Sequence, residues 1–198
     1  MKKPESAKEQ LNNLIGMVMV KKTLASYETK DRSPLAALPY LTASRLQPDL
    51  DNPNEKKEML HIVLTGPPGV GKTTVAKLVS QLFFEMGYLE SGHVVEADRS
   101  TLVGSYVGQT ALLVRQKVEE AMGGVLFIDE VYALKRKDHS AADFGQEAID
   151  TLCKLMDEYK GKFIVVAAGY PEETEVFIKS NPGLASRFKL KLNIDAYT

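Results

Sequence analysis

From residue 59 onward, short apolar runs alternate with stretches of helical spacing. MLHIVLT (59–65) is an apolar run ending at glycine, which predicts a buried strand. Residues 72–86 then set Val75, Leu78, Val79, Leu82 and Met86 three or four positions apart, predicting a helix that Gly87 stops. HVVEA (93–97) predicts a second strand. Residues 110–122 predict a second helix, with Leu113, Val114, Val118 and Ala121 on one face. GVLFID (124–129) is a third strand. Residues 146–159 form a third helix with Ile149, Leu152, Cys153 and Met156 inward, and KFIVVAAG (162–169) a fourth strand. PEETEVFIK (171–179) reads as a helix whose acidic first turn suits the helix dipole. KLKLNI (189–194) alternates, as an edge or final strand does. Runs too continuous to have a solvent face imply a parallel sheet covered on both sides. The expected fold class is therefore α/β, a central five-stranded parallel sheet sandwiched by helices.

The pattern before residue 59 differs. Leu11, Leu14, Ile15, Val18 and Leu24 suggest two short helical pieces within 8–27, broken near Gly16. Residues 31–58 contain Pro34, Pro39, Pro48 and Pro53, with room for a short helix from Leu35 to Leu46. We divide the chain into an N-terminal helical segment and linker, 1–58, and an α/β core, 59–198.

Composition narrows the partners. The chain has 198 residues and a formal net charge of −1, so no basic field points to nucleic acid. Cys153 is the only cysteine, which excludes an internal disulfide and fits a reducing compartment. MKKPESAKEQ lacks the apolar stretch of a signal peptide, and no run reaches the ~18 apolar residues of a membrane span. A cytoplasmic domain is expected.

Two motifs carry chemistry. GPPGVGKT (66–73) follows a strand and opens a helix, the context required of a phosphate-binding loop. Gly66, Pro67, Pro68, Gly69, Val70, Gly71, Lys72, Thr73 and Thr74 are the candidate nucleotide-binding residues. The glycines let successive backbone N–H groups turn toward phosphate, Lys72 reaches the β- and γ-phosphates, and the Thr73 hydroxyl is placed for Mg²⁺. GVLFIDE (124–130) buries four apolar residues and ends in two acids. Asp129 suits Mg²⁺, and Glu130 suits activating an attacking water. Either motif alone has a bland alternative, a turn with a solvated lysine or a strand with solvated acids. Together, with one βα unit between them, they point to a P-loop ATPase carrying its own catalytic glutamate, with ATP and Mg²⁺ bound.

These residues sit in a longer ordered set: LIG (14–16), GPPGVGKTT, LFFEMG (82–87), GHVVEADRSTLVGSYVGQTA (92–111), GGVLFIDEVYAL (123–134), DFGQEAIDTL (143–152), AAGY (167–170) and NPGLASRF (181–188). The set resembles AAA+ ATPases of the branch containing stage V sporulation protein K, the red-type Rubisco activases and the type VII secretion ATPases. LFFEMG and the GH-V-E run look most like the sporulation member. The resemblance implies the large subdomain of a P-loop NTPase. It places Ile15 and Gly16 against the adenine and makes Arg187 an arginine finger acting on the ATP of a neighbouring subunit, hence a homo-oligomer, a hexamer. It implies that catalysis rests on Lys72, Glu130 and Arg187. It implies that Tyr106, Val107 and Gly108 form a pore loop, the glycine letting it swing, on a face away from the nucleotide and gripping a protein client of unknown identity. Where many members end the fourth strand with a polar sensor, this chain has Ala168-Gly169-Tyr170, with Tyr170 the one candidate. The family continues past NIDAYT into a helical lid, so this chain is expected to need the lid and the oligomer for full activity. Two other functions stay open: a nucleotide-gated scaffold with slow turnover, and a small-molecule P-loop kinase, which leaves Glu130 and Arg187 unexplained.

Overall fold

The computed structural model describes residues 60–85, 87–135 and 144–194. The expected N-terminal helices, the 31–58 linker, and with them Ile15 and Gly16 lie outside the described residues. So do Met86 and positions 195–198.

The elements run β1 (His61–Thr65), α1 (Lys72–Glu85), β2 (Val94–Ala97), α2 (Arg99–Leu102), α3 (Gln109–Glu120), β3 (Val125–Ile128), a 3-10 turn (Val131–Leu134), α4 (Gly145–Glu158), β4 (Ile164–Gly169), α5 (Pro171–Lys179), α6 (Pro182–Arg187) and β5 (Phe188–Asn193). The five strands form one sheet in the order β2-β3-β4-β1-β5. Every neighbouring pair is parallel. β3 and β4 are buried along their whole length, as strands covered on both faces must be. The edge strands are different. β2 exposes Glu96, whose carboxylate meets Lys77 Nζ at 3.0 Å. β5 buries Leu190 and Leu192 and turns Lys191 outward, and charge along an open edge discourages pairing with another chain.

Strand alternation divides the core in two. Ile62 and Leu64 of β1 pack with Val75, Val79 and Phe83 of α1, joined by Val166 and Leu192. Val63 points the other way, into a cluster with Val114 and Val118 of α3, Ile149, Leu152 and Met156 of α4, and Phe177 of α5. A parallel sheet with one hydrophobic layer on each face leaves only its strand ends for polar chemistry. Among the described residues, no helix is long and apolar enough to cross a membrane.

One buried side chain at the start of β1 links the fold to pH. His61 is 1% exposed. Its Nδ1 accepts the Val165 N–H at 2.9 Å, so the ring hydrogen sits on Nε2. The Nε2 atom has no hydrogen-bond partner, and the Phe163 and Phe188 rings flank it with centroids at 5.9 and 6.0 Å. Burial, and next the charge of Arg187, push its pKa down to about 3. In the unfolded chain it titrates near 6.5. Between those values the unfolded state binds a proton that the folded state refuses. The stability due to neutral His61 is therefore complete above pH 6.5 and is lost as pH falls toward 3, with a slope approaching about 1.4 kcal/mol per pH unit. Melting temperature should drop more steeply from pH 6.5 to 4 in the parent than in His61→Gln. Parallel curves in scanning calorimetry would remove His61 from the account.

Candidate functional site

The phosphate loop joins the end of β1 to α1. Val70 is buried in the α1-side core and anchors the loop, while Pro68 and Gly69 are exposed. Gly69 and Gly71 take φ of +74° and +83°, bending the backbone into a cradle. Space above the Gly69 Cα is open, with no atom within 4 Å of an added Cβ. α1 has no acidic residue in its first turn, so the positive end of its dipole is uncompensated there. Lys72 Nζ donates to the carbonyls of Gly66 and Pro67, at 3.1 and 3.0 Å. It also lies 5.6 Å from the centroid of the Tyr170 ring, within cation–π range. The ammonium is thus held by its own loop, through contacts that a phosphate oxygen would replace. Open cradle, helix end and nearby cation together fit a nucleotide phosphate chain.

Asp129 and Glu130 follow β3 at the same end of the sheet, both exposed. β4 lies between β1 and β3. The Asp129 N–H is tied to the Ala97 carbonyl at 2.9 Å, and the Glu130 N–H donates to Asp129 Oδ1 at 2.9 Å. Glu130 takes φ +46°, the left-handed region, alone among the described non-glycine residues. Such a conformation costs of order 1–3 kcal/mol and persists where the surroundings enforce it. Here buried Val131 and Leu134 fix the 3-10 turn that begins directly after it. Among the described residues no three His, Cys, Asp or Glu side chains converge on a metal position. Magnesium carried by a nucleotide needs only one or two protein ligands, with phosphate and water completing the shell, and Thr73 and Asp129 suit that role.

The structure adds residues that the sequence reading passed over. Tyr132 stacks on Tyr170, with centroids 5.9 Å apart and planes 22° from parallel. Burial, with Glu130 next, pushes the Tyr132 pKa up to about 12, so it stays a neutral hydroxyl. The Tyr170 ring therefore lies between Lys72 and Tyr132, although no polar sensor ends β4. Asp98 caps α2 by accepting the Thr101 N–H at 2.9 Å. The Ser100 hydroxyl bonded to it holds its pKa below the usual carboxylate range. A cavity of about 700 Å³ is lined by Asp98, Arg99, Gly104 and Ser105 together with Asp129 and Glu130.

Tyr106 and Val107 are 76% and 90% exposed. Hydrogen bonds hold the base of the segment. The Gly104 N–H donates to buried Thr110 Oγ1 and the Ser105 N–H to Gln109 Oε1, both at 3.0 Å. Gly108 takes φ +78° at the N-cap of α3, a conformation that a side chain would strain. It makes the turn that leads from Val107 into α3. The separation from the nucleotide side is also narrower than expected, since Ser105 lines the cavity that Asp129 and Glu130 share.

Arg187 stands apart from all of these. It precedes Phe188, which pairs with His61 at the start of β1, whereas the phosphate loop leaves the end of that strand. Four residue steps of strand put about 13 Å between the two levels. Its side chain is only 16% exposed and is clamped by Asp157 of α4, with Nε on Oδ1 at 3.1 Å and Nη2 on Oδ2. Nη1 donates to the Gly183 carbonyl at 2.6 Å. The loop and the acids lie at the same end of the sheet, and Arg187 lies at the opposite end of β1.

Comparison with known proteins agrees with this geometry. The family "ATPase family associated with various cellular activities (AAA)" matches residues 62–196. Stage V sporulation protein K of Bacillus subtilis is 48% identical over 142 residues, 72% of this chain and 44% of its own. The chloroplastic ribulose bisphosphate carboxylase/oxygenase activase of Cyanidioschyzon merolae is 44% identical over 70% of this chain and 47% of its own. A CfxQ homolog of Pyropia yezoensis is 38% identical over 98% of this chain and 61% of its own. The chain spans about half the length of these curated relatives.

Proposed function

This chain belongs to the AAA family of ATPases, in the branch of stage V sporulation protein K and the CfxQ proteins, and from that premise we propose that it binds and hydrolyses ATP at sites completed by a neighbouring copy. One observation supports the proposal: the phosphate loop following β1 and the acid pair following β3 lie at the same end of the parallel sheet, with β4 between their strands. A water between Glu130 and the terminal phosphate would be the attacking nucleophile. Lys72 exchanges the Gly66 and Pro67 carbonyls for β- and γ-phosphate oxygens. Thr73 and Asp129 would hold Mg²⁺, which would neutralise charge on those oxygens. The Glu130 carboxylate orients the water and takes its proton. Arg187 leaves Asp157 to reach the phosphate of the adjoining subunit, a role in trans that its distance from its own loop favours.

Turnover then acts on a protein client through Tyr106 and Val107. Relatives named for sporulation and for activation of ribulose bisphosphate carboxylase/oxygenase share this core. Because both side chains are exposed, Tyr106→Ala should move the melting temperature by no more than about 2 °C, as surface changes do. It should abolish client-stimulated turnover. A large loss of stability instead would make Tyr106 a packing residue.

The clamp on Arg187 favours one alternative, a nucleotide-gated scaffold in which turnover is slow because the arginine is seldom released. The test is to measure hydrolysis and mass of the full-length protein with saturating Mg-ATP. A ring that turns over ATP, and loses nucleotide binding in Lys72→Ala, supports the proposal. A persistent monomer under those conditions, also in Glu130→Gln, contradicts it.

A further inference from the structure

Three segments meet at the guanidinium of Arg99, and none of the motifs accounts for it. Arg99 opens α2, the short helix that leads into the loop carrying Tyr106. Its Nη1 donates to the carbonyls of Ala133 at 2.9 Å and Leu134 at 2.7 Å. These belong to the end of the 3-10 turn that starts directly after Glu130, where carbonyls lack partners within the turn itself. Bonds from a charged donor to such carbonyls are stronger than neutral ones. Gly145, the first residue of α4, closes the junction. A Cβ there would lie 1.8 Å from the Leu134 oxygen and 3.0 Å from Arg99 Nη1, so only glycine fits. Arg99 also lines the cavity that Asp129 and Glu130 share with Gly104 and Ser105.

We propose that Arg99 is a positioning residue that ties the turn behind Glu130 to the loop that presents Tyr106, so that the nucleotide state at the acids is transmitted to the client-facing loop. This rests on the ATPase reading of the site. The backbone of Glu130 is held in a left-handed conformation, and the turn after it can shift only if the partners of its carbonyls shift with it. Arg99 is the partner that leads to the loop. Its chain continues through Leu102, buried in the core, to Gly104 and Ser105, whose N–H groups are fastened to the start of α3. A displacement at Ala133 and Leu134 therefore reaches the base of the Tyr106 turn through one side chain and four residues of helix.

The experiment uses the full-length protein. This chain has no tryptophan, so Tyr106→Trp places a reporter whose emission is read against the Tyr106 parent. Emission is compared with Mg-ATP and Mg-ADP, beside steady-state kinetics, for Arg99 intact, Arg99→Ala and Arg99→Lys. In Arg99→Ala we expect KM for Mg-ATP within about twofold of the parent and kcat lower by about 100-fold, the cost of misplacing a catalytic group by about 1 Å. The nucleotide-dependent emission change should be lost. Arg99→Lys, which keeps a cationic donor with shorter reach, should restore part of both. Parent-like kcat and emission change in Arg99→Ala overturn the proposal. So does joint loss of nucleotide binding and cooperative melting in both variants, which would make Arg99 a folding residue only. If the parent shows no turnover, or turnover indifferent to Glu130→Gln, the ATPase reading fails instead, and the emission change in Arg99→Ala still decides the linkage.

Discussion

Arg187→Ala should lower ATP turnover of the assembled protein by about 10³–10⁵-fold, or roughly 4–7 kcal/mol of barrier, with nucleotide affinity nearly unchanged. The split follows from where the side chain sits. Arg187 is at the level where β1 begins and the phosphate loop is at the level where it ends, which favours the proposed role on a neighbouring subunit's phosphate. The loss should therefore appear only in the oligomer. A dilute monomer should turn over ATP equally slowly with and without the substitution. Asp157 supplies the control. Its carboxylate is half-exposed while paired, so Asp157→Ala, which frees the arginine without removing it, should leave the fold intact. Isothermal titration with a slowly hydrolysed nucleotide, beside steady-state rates, separates binding from catalysis. A loss of affinity equal to the loss of rate would mean that Arg187 acts on the fold rather than on the transition state.

Glu130→Gln should reduce kcat by about 10²–10⁴-fold, the range for removing a positioned general base. Glutamine keeps the size and the polar contact but cannot accept the proton. The backbone at position 130 is left-handed, with its N–H on the Asp129 carboxylate, and neither feature depends on the side-chain oxygen that is replaced. Mg-ATP should therefore bind and remain uncleaved, and the ring should persist in the ATP state. Rapid-quench measurement of the first turnover isolates this step from product release. A parent-like first turnover in Glu130→Gln would pass the proton-accepting role to another group.

The sheet was legible because its strands are buried on two faces. VLFI of β3 and IVVAAG of β4 have no polar position to hide the run, so their period could not be mistaken. Boundaries at 124–129 and 162–169 came out two residues too long, because the flanking Gly124, Asp129, Lys162 and Phe163 carry no signal of where the ladder begins or ends. The short elements were not legible. α2, α6 and the 3-10 turn have four to six residues, fewer than two helical turns, and carry no period. Their only signal was capping chemistry: Asp98 with Thr101 three positions on, and Asn181 before Pro182. The phosphate loop and the acid pair could be read because each is contiguous. The Arg187–Asp157 pair and the bonds from Arg99 to Ala133 and Leu134 join residues some thirty positions apart in different elements, and no local pattern announces them. Tyr132 and Tyr170 belong to the same class, since stacking required β3 and β4 to be neighbours first.

The central claim is that a competent site is shared between two copies of this chain, and mixing two inactive variants tests it most directly. Glu130→Gln protein keeps its arginine, and Arg187→Ala protein keeps its carboxylate. In randomly mixed equimolar rings about a quarter of the sites would pair an intact Glu130 with an intact Arg187 from the neighbour. The account predicts that ATPase activity returns on mixing to a value far above the sum of the two variants. Mixed rings, verified by mass, that show no more than that sum would contradict a shared site.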